Sequence, residues 1–405
     1  MSALRLFLPF AGAYFLSYHF RTANAVIGPV LAGDLGLGAA DLGLLTSAYF
    51  LGFGAAQLPL GMLLDRFGAR RVESALLLVA AAGALIFASG TTIGTLAFGR
   101  GLIGVGVSAC LMASFKAFSQ WYPPERQASL TGWMLTAGAL GALAASVPLN
   151  AALHVATWRQ IFVVLAAGTV LVAGWIFVGV PDQRGTLAPE SLAAQWAGVR
   201  AVVRNRHFWR YAPLALVQTG GFLAVQSLWS IAWLIHVNGY SRGVAADHLA
   251  AMSVAMVVAY ALIGLLATQL ARRGIGTIVL YVGGLSLALV TLLLMITQAV
   301  DQTYLLWIAY GMFSSFGTLV YPLLTAGFPV ALSGRANTTL NLLAFTGAFA
   351  AQWGIGVLIE LSEASGYSTA VAHRHAFSVL FVVQTGTLIW LLVSGRRKTA
   401  QGTER

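Results

Sequence analysis

Long apolar stretches alternate with short polar ones along the whole chain of 405 residues. A helix needs about 20 mostly apolar residues to cross a hydrocarbon core of about 30 Å. On that measure the pattern predicts twelve spanning helices in two sets of six, joined mostly by short turns. The predicted spans are 6–32, 41–64, 72–90, 94–120, 127–153, 158–180, 211–237, 246–271, 275–298, 302–326, 336–361 and 373–395.

One sizeable polar connection lies between the two sets and combines Pro and Gly with helical periodicity and several arginines. Such a segment is typical of an amphipathic linker on the anionic inner leaflet, although a regulatory or partner-binding role also fits it. The sequence therefore predicts an all-α integral membrane protein. Its parts are an N-terminal six-helix bundle at 1–180, a cytoplasmic linker at 181–210, a C-terminal six-helix bundle at 211–395 and a cytoplasmic tail at 396–405.

The composition excludes several other classes of protein. Apolar residues make up 59% of the chain and charged residues 9%, against about 25% charged in soluble domains. The net charge of +11 comes from cations spread over the connections between spans, not from one basic face, which argues against nucleic-acid binding. Cys110 is the single cysteine, so an intrachain disulfide is impossible. The first apolar run continues to about Gly33, too long for the hydrophobic region of a signal peptide.

Lysine and arginine are distributed unevenly between the two sides of the predicted membrane domain. An even number of spans puts both termini on one side, and the cytoplasmic side of an inner membrane suits them best. That choice places seventeen cations in the cytoplasm and leaves Arg159, Arg242 and Arg374 outside.

Two motifs carry a family resemblance. The loop between spans two and three reads "GMLLDRFGARR" and resembles the signature loop of the major facilitator superfamily, while "RGLIGVG" in span four resembles that family's Arg-x-x-x-Gly-x-Gly motif. A weaker echo of the first motif, "GLLATQLARRG", follows span eight with Thr268 in place of the acid. We expect Gly61 to permit close helix approach and Asp65 to accept hydrogen bonds at a neighbouring helix N-terminus. The motif and gating residues are Gly61, Asp65, Arg66, Gly68, Arg70, Arg71, Arg100, Gly104 and Gly106.

The resemblance covers the whole chain and implies a monomeric secondary transporter that is not an enzyme and needs no cofactor. It implies two six-helix bundles and one substrate site that opens alternately to each side of the lipid bilayer. Helices one, four, seven and ten commonly line that site in family members.

Arg21 is the most informative polar residue. It lies about fifteen residues, hence about 22 Å, into span one, where an unneeded charge costs about 2.5–3.5 kcal/mol. Tyr14, Tyr18 and Arg21 share one helical face, and Asn24 extends it. We expect this strip to face water and the guanidinium to bind a small anion such as a carboxylate. The alternative is that Arg21 bonds carbonyls and polar groups of its own bundle. His19 lies off the strip, and it either packs against a neighbouring helix or carries a proton.

Further candidates lie in later spans. Lys116 in span four either reaches a cavity or extends to the cytoplasm, and Arg100 is expected to brace the first bundle. Gln226, Trp229 and Trp233 share one face of span seven. All twelve acidic residues, Glu73 included, map to loops or span ends, which favours an anionic over a cationic substrate. The remaining candidates are Gln218, Tyr310, Ser314, Tyr321, Asn341, Gln352 and Trp353.

The leading hypothesis is therefore a carrier for a small organic or inorganic anion, by proton symport or anion exchange. Asp41, His19 or the substrate itself could carry the proton, and exchange needs no carrier. One alternative is efflux of hydrophobic compounds or siderophores, and another is a receptor that binds without transport. A lesser alternative is Cu(I) uptake, because His248, Met252 and Met256 array an imidazole and two thioethers along one helical face.

Overall fold

Helices form the regular structure of the protein. A computed structural model describes residues 3–122, 124–181 and 192–401. In that part of the chain the helices are α1 (Ala3–Leu35), α2 (Ala39–Ser89), α3 (Ile93–Gly106), α4 (Cys110–Trp121), α5 (Pro124–Ala144), α6 (Val147–Ala152), α7 (Trp158–Gly179), α8 (Leu192–Arg204), α9 (Arg206–Leu214), α10 (Gly220–Ala224), α11 (Ser230–His236), α12 (Arg242–Arg272), α13 (Thr277–Thr297), α14 (Thr303–Ser314), α15 (Val320–Thr325), α16 (Val330–Ala364) and α17 (Thr369–Gln401).

Eleven helical segments among the described residues are long and apolar enough to cross a membrane. The helix α1, with 33 residues, is also long enough to cross a membrane, and it contains the polar residues around Arg21. The prediction of an all-α membrane protein with twelve spanning helices is confirmed.

The chain divides into two compact units. The first unit comprises Met1–Glu190 together with Gln226–Ala250, and the second comprises Ser191–Val225 together with Ala251–Arg405. The first unit thus contains a segment that the sequence pattern assigns to the C-terminal bundle. The predicted domain boundaries otherwise stay predictions.

Local sequence explains where several helices begin and bend. Thr92 and Thr157 cap α3 and α7, each accepting a hydrogen bond from the backbone N–H three residues later. The long helix α2 contains two predicted spans and bends at Gly68, where φ is +80° and ψ is 160°. Only glycine adopts that conformation without strain, so this motif position is fixed by backbone geometry.

The linker is helical where the structure describes it. In α8, Val202 is fully buried in the hydrophobic core of the second unit, whereas Trp196 and Arg200 are exposed. Gly198 lies directly under the side chain of Arg335 on α16, and a Cβ there would overlap it. This end of the predicted amphipathic linker therefore packs against the second unit. Residues 182–191 lie outside the described residues.

Two irregular turns interrupt the seventh predicted span. Ala215–Thr219 and Val225–Trp229 form π-helical turns, with i→i+5 hydrogen bonds instead of i→i+4. In the tenth span, Ser315–Leu319 forms a 3₁₀ turn. Such turns often occur at functional sites, because they re-aim side chains within an otherwise regular helix.

Candidate functional site

Arg21 lies inside the first unit, among aromatic side chains. Its residue exposure is 7%. The guanidinium carbon lies 4.5 Å from the ring centroid of Tyr18 and 5.4 Å from that of Phe53. The hydroxyl of Tyr49 accepts a hydrogen bond from the guanidinium. Aromatic faces and phenol oxygens stabilise a buried cation without cancelling its charge. Tyr49 belongs to the same unit, so these contacts also fit the alternative expectation, in which Arg21 bonds polar groups of its own bundle, and both interpretations stay predictions.

The rest of the predicted strip on α1 lies between helices α2 and α5. Tyr14 and Tyr18 pack edge to face, with ring centroids 5.1 Å apart. Both rings press against Gly138 of α5, where a Cβ would come within 2.6 Å of Tyr14 and 2.9 Å of Tyr18. Asn24 donates a hydrogen bond of 2.9 Å from Nδ2 to the hydroxyl of Thr46 on α2. The strip thus follows one continuous polar seam inside the first unit.

Tyr49 on α2 connects the two buried arginines of this unit. Its hydroxyl donates to the carbonyl oxygen of Ser17 at 3.3 Å and accepts from Arg21. Its ring centroid lies 5.2 Å from the guanidinium carbon of Arg100. Sequence inspection did not select Tyr49, because a tyrosine within an apolar span is usually a packing residue. Its distance along the chain from Arg21 hides the contact.

Arg100 joins α3 to α1. It is fully buried, and its Nη1 donates a hydrogen bond of 2.9 Å to the carbonyl oxygen of Phe20. Its guanidinium carbon also lies 5.9 Å from the ring centroid of Phe87. The contact is compatible with the expected bracing role, which stays a prediction. Lys116 of α4 is partly buried, and the choice between a cavity role and an extended side chain stays open.

His19 turns away from the strip. It is buried with 7% exposure, its ring stacks on Phe15 at a centroid distance of 6.2 Å, and it faces the backbone of Gly141 on α5. A Cβ on Gly141 would overlap the carbonyl of Phe15, so α1 and α5 approach closely here. The surroundings of His19 are those of a residue packed between two helices.

The signature loop shows one wrong expectation. Gly61 is exposed, and a Cβ there would meet no described atom within 4 Å, so the predicted close helix approach at Gly61 is wrong. The close approaches lie at the second motif instead. A Cβ on Gly104 would overlap the carbonyl of Tyr49, and one on Gly106 would overlap the backbone of Ala80. These two glycines let α3 pack directly on the backbone of α2.

The cations of the loop have local partners. Arg70 donates a hydrogen bond of 3.3 Å to the carbonyl oxygen of Val180, and its guanidinium carbon lies 4.8 Å from the ring centroid of Phe177. Arg66 lies over the ring of Phe67 at 5.1 Å, and Arg71 is exposed. The side chain of Asp65 lies outside the described part of the structure.

The candidates of the seventh span are buried, but their predicted alignment is wrong. Gln226, Trp229 and Trp233 have exposures of 1%, 2% and 1%. The π-helical turn Val225–Trp229 adds a residue to that turn, so a spacing of three no longer keeps Gln226 and Trp229 on one face. Nearby, Leu228 packs against Gly28 of α1, where a Cβ would lie 2.9 Å from its Cδ1.

The second unit contains a separate set of neutral polar contacts. The hydroxyl of Tyr321 donates to Oδ1 of Asn341 at 2.8 Å. Nε2 of Gln218 donates to the carbonyl oxygen of Gln384 at 2.7 Å. Tyr310 is buried against Phe222 and Trp307. Among the other candidates of this unit, Ser314 is the hydrogen-bonding neighbour of Tyr310. The amide of Gln352 on α16 is fully buried, and the indole of Trp353 is exposed.

The residues of the copper alternative make packing contacts. Nδ1 of His248 lies 2.7 Å from the carbonyl oxygen of Val244, and its ring stacks on Tyr240 at 5.4 Å. Met252 packs against Gly311, and Met256 is buried. Among the described residues, His, Cys, Asp and Glu form no group of three that could hold a metal ion.

One acidic residue is more deeply buried than the sequence pattern indicates. Glu73 lies near the first end of the spanning segment Arg66–Ser89, in agreement with its predicted place at a span end, but its side chain is fully buried in the first unit. The sequence pattern hides this burial, because Glu73 follows Arg71 closely and so resembles the end of the basic loop. The expectation that no carboxylate lies at mid-membrane stays a prediction.

Comparison with known proteins agrees with this architecture. A sequence profile of the Major Facilitator Superfamily matches residues 10–352. The probable sulfoacetate transporter SauU of Cupriavidus necator is 25% identical over 273 residues, which are 64% of each chain. The quinolone resistance transporter of Acinetobacter baumannii is 29% identical over 179 residues, 42% of this chain and 40% of that one. The hexuronate transporter of Escherichia coli K12 is 26% identical over 217 residues, 49% of each chain.

These matches span less than two thirds of the length of each relative. The fold, in contrast, matches over the whole chain. The crystal structure of a bacterial homologue of the human lysosomal transporter Spinster, inward-facing and unoccupied, has a TM-score of 0.77 to this chain, 17% identity and 98% coverage of both chains. The chain belongs to the Major Facilitator Superfamily.

Proposed function

We propose that this protein is a secondary transporter of a small, carboxylate-like anion, working by alternating access with proton symport or anion exchange. Its membrane is the cytoplasmic membrane, with both termini in the cytoplasm, because that orientation puts seventeen cations inside against three outside. The membrane architecture and the family membership support transport as the activity.

The environment of Arg21 is the observation that supports an anionic substrate. A permanent cation in a membrane interior is costly, and residues of this kind usually have a function. The groups around it include the rings of Tyr18 and Phe53 and the hydroxyl of Tyr49. These groups orient the guanidinium, whose planar geometry suits a carboxylate, sulfonate or similar anion. Sulfoacetate and hexuronate, named for two relatives, are anions of that kind.

Uptake into proteoliposomes tests this proposal. An anion panel of labelled sulfoacetate, a hexuronate and nitrate is compared with a neutral sugar and a lipophilic cation. We expect uptake of at least one anion and loss of about 100-fold or more in Arg21→Gln, because truncating one partner of a buried charged pair costs about 2–5 kcal/mol. Arg21→Lys is expected to retain part of the uptake, since it keeps the charge and loses the planar fork.

A matched control removes the same charge elsewhere in the first unit. Arg159 donates hydrogen bonds of 3.0 Å and 2.7 Å to the carbonyl oxygens of Ala88 and Gly90, far along the chain from the strip. The folded Arg159→Gln variant should therefore retain the anion selectivity of the wild type. Full uptake by Arg21→Gln, with normal folding, contradicts the proposed role of Arg21.

The quinolone resistance relative favours a second candidate, efflux of hydrophobic compounds. Cells that lack the protein would then be hypersensitive to such compounds and would grow normally on organic acids. Transport of a quinolone that is unaffected by Arg21→Gln would support this second candidate.

A further inference from the structure

Glu73 is a buried acid that has no part in the proposed binding of the anion. It lies on α2 after the bend at Gly68, and its exposure is 0%. Neither carboxylate oxygen has a hydrogen-bond partner of ordinary geometry among the residues that the structure describes. A buried carboxylate without such partners is stable mainly as the neutral acid, because an uncompensated charge is poorly solvated there. An acid in this state is ready to exchange a proton when its surroundings change.

A short polar path leads from Glu73 to Arg21. The thiol of Cys110, at the start of α4, faces the carboxylate of Glu73 and also the hydroxyl of Ser17 on α1. The carbonyl oxygen of Ser17 accepts from Tyr49 at 3.3 Å, and Tyr49 accepts from Arg21. Ser17 also precedes Arg21 by one helical turn, so both side chains lie on one face of α1. Anion binding at Arg21 can therefore change the electrostatic environment of Glu73.

Cys110 of α4 is the titratable side chain that contacts Glu73 among the described residues. The hydroxyl of Ser17 on α1 contacts Cys110 in turn. On its own helix, Arg70 lies one turn earlier and donates to the carbonyl of Val180. On α3, Arg100 donates to the carbonyl of Phe20. Both cations thus have backbone partners of their own.

We propose that Glu73 binds and releases the proton that accompanies the anion. This inference rests on the proposed transport function and adds its coupling residue. The carboxylate takes one proton from water on one side of the membrane and forms an O–H bond. On the other side that bond breaks, the proton returns to water, and the carboxylate is restored. The step consumes no other reactant, and Glu73 acts as a coupling residue without contact to the substrate.

Proteoliposomes with a clamped membrane potential separate coupling from transport itself. With one proton per monovalent anion, a gradient of one pH unit supports about tenfold accumulation. We expect the wild type to reach this with a monovalent anion of the panel that it transports, and Glu73→Gln to show no accumulation. Exchange of labelled for unlabelled anion without a gradient should stay within about threefold in Glu73→Gln, because the site at Arg21 is intact and a threefold change is only about 0.7 kcal/mol. Glu73→Asp, which keeps the acid, should recover gradient-driven accumulation, and it replaces Glu73→Gln if the amide variant fails to fold.

The control is Glu363→Gln, which alters an exposed carboxylate of the second unit and should behave as the wild type. Infrared spectra without substrate give a separate readout. The wild type at neutral pH should show a protonated carboxyl band that is absent from Glu73→Gln. Wild-type accumulation in Glu73→Gln, loss of exchange together with accumulation, or absence of that band overturns the inference. A wild type that transports no anion at all refutes the proposed function itself, and so the two failures are distinguishable.

Discussion

The two units differ in the kind of polar groups that they bury. In the first unit the described buried residues include Arg21, Glu73 and Arg100, which carry or can carry a charge. In the second unit the described buried polar residues are amides, hydroxyls and the imidazole of His373. Both units consist of helices with buried apolar residues, so the contrast concerns the chemistry of the polar groups.

This difference indicates a division of labour. Charge selects between anion, neutral molecule and cation, since an unpaired charge in low dielectric has a large energy. Neutral hydrogen bonds, worth about 0.5–1.5 kcal/mol each, instead adjust shape and affinity. We therefore expect substitutions in the first unit to change which charge class is transported. Substitutions in the second unit should change affinity without changing that class.

The largest effect on stability is expected at Gly104, which supports the charged cluster. A Cβ there would overlap the carbonyl of Tyr49, the residue that holds Arg21. Gly104→Ala should destabilise the protein by about 1–3 kcal/mol and weaken anion binding. In the second unit, Gly283 lies exposed on α13 with no described atom within 4 Å of a Cβ, so Gly283→Ala should be neutral or stabilising. Thermal unfolding compares the stability of the two variants, and equal stability would contradict the expected difference between Gly104 and Gly283.

The next largest effect is expected at the buried Tyr49, with the buried Tyr281 as its control. Tyr49→Phe removes the hydroxyl that binds Arg21 and the carbonyl of Ser17. We expect apparent affinity for the anion to fall about tenfold, the equivalent of about 1.4 kcal/mol. Tyr281→Phe is the matched control in the second unit, since its buried hydroxyl has no partner among the described residues. Concentration-dependent uptake compares them, and a similar loss in both variants would contradict a special role for Tyr49.

A smaller effect is expected at the neutral pair of the second unit. Tyr321→Phe breaks the 2.8 Å hydrogen bond to Asn341. Uptake should fall about threefold for every transported anion, with unchanged preference among charge classes, because one neutral hydrogen bond is lost. Competition between anionic, neutral and cationic compounds measures the preference. A switch in charge class on this substitution would show that the second unit also selects charge.

The smallest effect is expected at a hydrogen bond near the end of the spans. Nε of Arg242 donates to Oδ1 of Asn150 at 2.8 Å, and both residues are only partly buried. Asn150→Ala should change the uptake rate by about twofold or less, because exposed polar pairs are worth about 0.2–1 kcal/mol. Loss of all transport in a folded Asn150→Ala protein would place an essential contact outside both clusters.

Periodicity and motifs predict much of this molecule, because membrane spans need long apolar runs and the Tyr14–Arg21 strip repeats at helical spacing. Contacts across helices are harder to predict. Tyr49 and Cys110 are distant in sequence from Arg21 and Glu73, and only the packing of α2, α3 and α4 brings them together. The burial of Glu73 escapes notice for the same reason.

Backbone irregularity explains the remaining differences. Helical spacing assumes regular i→i+4 hydrogen bonds, and the π-helical turn Val225–Trp229 breaks that assumption for Gln226 and Trp229. A motif also does not reveal which of its glycines is crowded. Gly61 and Gly104 both match family patterns, yet only Gly104 lies against another backbone.

Equilibrium binding of the transported anion to purified protein tests the central claim most directly, because it separates recognition from movement. Calorimetric titration of the wild type, Arg21→Lys and Arg21→Gln should give affinities in that descending order. The folded glutamine variant should bind the anion more weakly by about 100-fold or more. Affinity of Arg21→Gln within about twofold of the wild type, less than about 0.5 kcal/mol, would show that the buried guanidinium is not what recognises the anion.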